Sequence, residues 1–83
     1  MTRKQTAYRI IANQAETIIF DIDCGDERLA NKSKVDLVEL IYMNLLNSSV
    51  RAQHFKFLTA EWIKETITSA LEKYARKWGV ELQ

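Results

Sequence analysis

The chain contains no proline and only two glycines, Gly25 and Gly79. With so little of either there is no low-complexity linker and no visible domain boundary, so residues 1–83 read as one domain. Scarce glycine also removes the phosphate-cradling loops, which need several glycines close together for the backbone to approach an anion. Cys24 is the only cysteine and His54 the only histidine. A lone cysteine excludes an intramolecular disulfide and fits a reducing compartment, so a cytoplasmic location is expected. A zinc site within one chain would have to lean on carboxylates. An excess of one charge is missing too: twelve Lys and Arg stand against eleven Asp and Glu, a net charge of +1. Near-neutrality argues against a protein that binds nucleic acid by charge alone, and against an acidic DNA mimic, while leaving room for a local patch. No apolar stretch approaches bilayer length, and the one in "MTRKQTAYRII" is too short for a signal-peptide core.

What is present suits a small folded domain. Hydrophobic residues make up 47% of the chain, too many for a disordered polymer. A domain of 83 residues buries a smaller share of its surface than a larger one, so every apolar face matters.

The first third favours strands. "AYRIIA" (7–12) and "TIIFDID" (17–23) are rich in β-branched and aromatic residues, and Ile18, Phe20 and Ile22 share one face of the second segment. "NQAE" (13–16) then forms the loop of an amino-terminal β-hairpin. The competing pattern is helical, because Ala7, Ile11, Ala15, Ile18 and Ile22 recur at helical spacing. The β-branched content favours the hairpin.

Residues 24–32 read as a loop, and Ser33 begins a helix. Its hydroxyl caps the first turn, and Asp36 suits the positive helix end. This helix runs to about Asn47 and is apolar around most of its circumference, through Val35, Leu37, Val38, Leu40, Ile41, Tyr42, Met43, Leu45 and Leu46. A second helix starts after Thr59, with Leu58 and Ile63 placed as a hydrophobic staple. Its apolar stripe is Ile63, Ile67, Ala70, Leu71, Tyr74 and Trp78, and Gly79 is its left-handed stop. Between the helices, Phe55 and Phe57 suggest a short third strand, and "VELQ" (80–83) a further short strand or a tail. The expected fold is α+β, a small two-layer domain with the hairpin packed on two helices.

Chemistry is thinly represented. "IIFDID" (18–23) resembles the first motif of the haloacid dehalogenase-like phosphatases, in which a strand ends in Asp-x-Asp followed by Gly-Thr. The resemblance implies Asp21 as nucleophile and Asp23 as acid/base. It covers six residues: Cys24 and Gly25 replace Gly-Thr, and 83 residues cannot supply the parallel α/β scaffold. An EF-hand loop counted from Asp21 fails at its sixth and twelfth positions, Asp26 and Lys32. A looser cation site could use Asp21, Asp23, Asp26 and Glu27, but acidic residues at the end of an amphipathic strand more often just solubilise it. Carboxylates beside Cys24 disfavour its thiolate. No catalytic residue, cofactor or metal ligand is assigned, and a non-catalytic role is expected.

Two binding classes remain. A helix apolar on most sides, in so small a domain, leaves a patch at Leu37, Ile41, Tyr42 and Leu45, with Trp62 as a possible anchor on the second helix. That predicts an adaptor, inhibitor or regulator covered by a second copy or a larger partner, a homodimer being favoured. The alternative is a nucleic-acid-binding regulator using Arg51, His54 and Lys56, interleaved with Phe55 and Phe57. The strand–helix–helix order is similar to the ribbon-helix-helix repressors, but the connection from Asn47 to Thr59 is too long for that unit.

Overall fold

The computed structural model describes residues 2–83. They form five α-helices: α1 (Arg3–Asp23), α2 (Glu27–Ala30), α3 (Lys34–Asn47), α4 (Ser49–Ala52) and α5 (Ala60–Trp78), with a 3-10 turn at Gln53–Phe55 between α4 and α5. No strand occurs among the described residues, so the domain is all-α.

The expected hairpin is the main correction. Residues 3–23 are one helix of 21 residues. It starts at a capping box: Thr2 Oγ1 accepts from the Gln5 N–H at 3.1 Å, and Gln5 Oε1 accepts from the Thr2 N–H at 2.9 Å. Ala7, Ile11, Ala15 and Ile18 are buried along one stripe, the helical spacing that competed with the hairpin. In a strand Ile18 and Phe20 would share the buried face. Here Ile18 and Ile19 are buried together and Phe20 turns outward. Each β-branched residue costs a few tenths of a kcal/mol in helix propensity. Full burial of an isoleucine returns about 1.5–3 kcal/mol, so tertiary packing decides.

The two longest helices, α1 and α5, end in the same way. At the end of α1 the Gly25 N–H donates to the Ile22 carbonyl (3.0 Å) and the Asp26 N–H to the Asp21 carbonyl (3.0 Å). At the end of α5 the Gly79 N–H donates to Arg76 (3.4 Å) and the Val80 N–H to Ala75 (2.8 Å). Both are Schellman stops, and both glycines take the positive φ that they require, 101° and 69°. Asp26 then caps α2, its Oδ1 accepting from the Leu29 N–H at 3.2 Å. The expected 24–32 loop therefore carries a helical turn that buries Leu29. Ser33 and Thr59 cap α3 and α5 as expected, accepting from Asp36 (3.2 Å) and Trp62 (3.0 Å).

The third strand is also replaced, by α4 and the 3-10 turn, which bury Phe55 and leave Phe57 exposed. The carboxyl-terminal tail forms no strand. Its Gln83 carbonyl accepts from the Lys34 N–H at 2.7 Å, and its amide donates to the Ala30 carbonyl at 3.3 Å.

Helix α5 is the shared wall of the domain. Lys4 lies over Trp62 near the starts of α1 and α5, and Phe20 meets Trp78 edge-on at 5.9 Å near their ends, so these helices run parallel. Lys34 pairs with Glu72 (3.3 Å) and Glu39 with Lys64 (2.8 Å), so α3 runs antiparallel to α5. The core between the three long helices holds Ile11, Ile19, Leu37, Ile41, Leu45, Ile67 and Leu71, all essentially inaccessible. Buried Ala7, Ala15, Ala70 and Ala75 provide the small surfaces on which α1 and α5 approach closely.

Candidate functional site

The patch expected on α3 is divided by the fold. Leu37, Ile41 and Leu45 face the core and are 1% exposed or less. Tyr42 and Trp62 stay half-buried at the surface, each with a cation over its ring: Lys64 at 4.9 Å from the Tyr42 centroid and Lys4 at 5.7 Å from that of Trp62. The Lys64 ammonium also holds Glu39. That hydrogen bond raises the lysine pKa above its ordinary value, the Glu39 and Tyr42 charges adding to it against partial desolvation. The apolar side chains that α3 does expose are others. Val35, Met43 and Leu46 stand out to solvent, followed by Val50 at the start of α4. The wide apolar circumference thus serves one buried face and one open face.

The basic and aromatic segment is divided as well. Arg51 turns back to α3, where its Nη2 donates to the Asn44 carbonyl at 3.3 Å. Asn44 carries one of the last four carbonyls of α3, so Arg51 closes that helix end. Its Nε has no hydrogen-bond partner among the described residues. His54 and Lys56 are exposed. His54 shares a hollow with Thr2, Arg3, Thr6, Gln53 and Phe57. The Phe57 ring has the Arg3 guanidinium over it at 4.3 Å and the Lys56 ammonium at 5.6 Å.

A wider groove, sharing no lining residue with that hollow, runs between α1 and α5, about 870 Å³ in volume and open to solvent. Lys4, Gln5, Tyr8, Arg9, Ala12, Asn13, Trp62 and Tyr74 line it. No carboxylate is among these lining residues, and none lines the Phe57 hollow. Just past the groove, Lys77 reaches Glu16 at 3.9 Å, and Lys73 and Lys77 lie over Tyr74 at 5.5 and 5.8 Å. A strand over residues 7–12 with a hairpin loop at 13–16, as the sequence suggested, forms no such surface. The signal lies in Lys4, Tyr8 and Arg9, which only a helix brings beside Trp62.

The acidic stretch does not converge. Asp21 and Asp23, two apart in the last turn of α1, project about 200° apart around the helix, whereas a strand would put them on one face. Asp26 is committed to capping α2. Among the described residues no three His, Cys, Asp or Glu side chains are grouped to hold a metal ion. The strand that the phosphatase motif needs is absent from this segment. Cys24 is exposed at the C-terminal end of α1. No helix among the described residues is long and apolar enough to cross a membrane. Comparison with protein-family models, with curated proteins and with solved structures finds no match to this chain.

Proposed function

We propose that the protein is a small non-catalytic interaction module of the cytoplasm that pairs with a second copy of itself through the outer face of α3. The observation that carries this reading is the exposure of Val35, Met43 and Leu46 on one helix, at 69%, 53% and 42%, with Val50 beyond them at 68%. Isolated surface apolar residues need no explanation, but a series of them on one helix face does. Positions 35, 39, 42 and 46 follow one another at steps of four, three and four, the spacing of a helix–helix seam. The series is also symmetric about its midpoint. In an antiparallel pair related by a two-fold axis, Val35 of one copy meets Leu46 of the other, and Glu39 meets the Tyr42 hydroxyl. An isologous interface requires this kind of self-complementary patch. The exposed Cys24 thiol agrees with a reducing compartment.

Light scattering from micromolar to near-millimolar protein tests the proposal. The wild type should approach twice the monomer mass, while Leu46→Asp and Val35→Asp should remain monomeric with unchanged helical circular dichroism. A wild type that stays monomeric across the range defeats the homodimer. A larger protein partner on the same face would then be the surviving form of the interaction reading.

A further inference from the structure

We propose that the groove between α1 and α5 binds single-stranded nucleic acid, with the Phe57 hollow at the same end of α1 as a second contact. The proposal uses no residue of α3 and stands apart from self-association.

Three features of this end of the molecule coincide. The first is charge separation in a chain that is almost neutral overall. Arg3, Lys4, Arg9, His54 and Lys56 line or flank the two hollows, whose lining includes no carboxylate. Asp21, Asp23, Asp26 and Glu27 lie at the opposite end of α1. Because α1 and α5 run parallel, their positive helix ends both lie on this side, where α5 carries one acid, Glu61, in its first turn.

The second feature is a set of reachable rings. Phe57 is 69% exposed and Tyr8 42% exposed, while Trp62 and Tyr74 are half-buried along the groove wall. Cations lie over Phe57, Trp62 and Tyr74, and Tyr8 adds an open ring to the groove. Exposed rings with cations near them are the means by which single strands are held by stacking and phosphate contact. The guanidinium of Arg3 is already stacked on Phe57, and a base could replace or extend that stack. The third feature is the pair of amides in the same groove: Asn13, and Gln5, whose Oε1 holds the Thr2 N–H while its NH2 group remains to donate to a base edge. An acidic peptide would satisfy the cations but make little use of the rings and amides. A duplex would present only its phosphates, since its bases are stacked away.

The charges on α1 fit this reading as well. Arg3 and Lys4 stand in its first turn, where there is no acidic residue, and its last turn carries acids but no base. Both choices oppose the helix dipole, so the electrostatics of the helix itself does not explain them.

The probe is a labelled oligothymidylate on the order of 12 nucleotides, inside the ~4–16 nucleotides one small domain covers. Anisotropy would follow binding at low salt, and Trp62 fluorescence, read in a Trp78→Phe background, would follow stacking. The expected result is saturable binding with Trp62 quenching and a log–log salt slope of about −2 to −3, for three or four phosphate contacts. Lys4→Glu with Arg9→Glu should weaken binding about tenfold or more, and the uncharged change Tyr8→Ala about fivefold. The same charge reversal at distant Arg28 and Lys32 should alter it by less than about twofold. No binding at low salt overturns the proposal. So does equal affinity for poly-glutamate with Tyr8→Ala harmless, which would mark a surface for acidic peptides. Circular dichroism of each variant separates lost binding from lost fold.

Discussion

Replacing Ile41 with alanine separates a core side chain from a docking side chain. Ile41 is inaccessible and sits among Leu37, Leu45, Ile67 and Leu71 on the face that α3 turns inward. The change deletes three carbons, worth about 2.4 kcal/mol at ~0.8 kcal/mol each. Incomplete closure of the void adds to this, giving an expected loss of about 3 kcal/mol within the 2–5 kcal/mol seen for such truncations. A chain of 83 residues has a total stability of only about 4–12 kcal/mol, so the variant should be badly compromised. With a urea m-value of ~1–1.5 kcal/mol/M for so small a domain, the midpoint should fall by about 2–3 M with m unchanged. Far-UV circular dichroism through a urea titration at two widely separated protein concentrations provides the test. The loss should be the same at both, because the side chain packs within one copy. Leu46→Ala, at a 42% exposed position, should lose less than about 1 kcal/mol. A loss below about 1 kcal/mol for Ile41→Ala, or one that disappears at high concentration, would refute the placement of this face in the core.

Two other perturbations address the helix ends and the α3–α5 seam. Gly79→Ala should cost about 1 kcal/mol in the same urea assay, and Gly79→Asn less, because φ is 69° while an added Cβ would meet no atom within 4 Å. The expense is therefore backbone strain alone. Stability should also fall at alkaline pH through Lys64. Its folded pKa is raised by the Glu39 hydrogen bond, so its contribution is complete below the unfolded lysine value of 10.5 and is lost as pH rises through the higher folded value. Glu39→Gln should flatten that alkaline limb; an unaltered pH profile would count against the pairing.

Much of the second half of the chain was legible. In the stretch from Thr59 to Gly79 the cap, the apolar stripe from Ile63 to Tyr74 and the stop agree with the fold, while Trp78, expected in that stripe, ends 37% exposed. Ser33 was equally readable. The first third was not, and the reason is specific. Thr17, Ile18, Ile19 and Phe20 are strand formers by local preference, and the deciding contacts, with α5, lie some fifty residues away in sequence. Two local clues pointed the other way: Thr2 with Gln5 is a capping box, and Gly25 plays at the end of α1 the part that Gly79 plays at the end of α5. Only Gly79 was read as a stop. The error carried into the site. A hairpin scatters Arg3, Lys4, Tyr8 and Arg9, whereas the helix lines Lys4, Tyr8 and Arg9 up against Trp62. The excess apolar surface of α3 was real, but composition alone could not tell which residues faced out. The packing of α5 assigned Leu37, Ile41 and Leu45 to the core and left Val35, Met43 and Leu46 in the open.

The charge order of α1 makes a further prediction in which stability and binding move in opposite directions. Lys4 lies in the first turn, where the unpaired N–H groups already carry positive potential, and no salt bridge among the described residues holds its ammonium. Replacing repulsion with attraction by Lys4→Glu should stabilise the domain by about 0.5–1 kcal/mol, less the small cation–π contact with Trp62. A substitution chosen by stability alone would therefore put glutamate here. If the groove holds a polyanion, the same substitution must weaken it, because a carboxylate enters a lining that otherwise includes none. Urea titration and oligothymidylate anisotropy on the one variant should show a higher midpoint together with a lower affinity. A lower midpoint would mean that Lys4 is there to support α1, and the reversed charge pattern would then lose its value as a sign of binding.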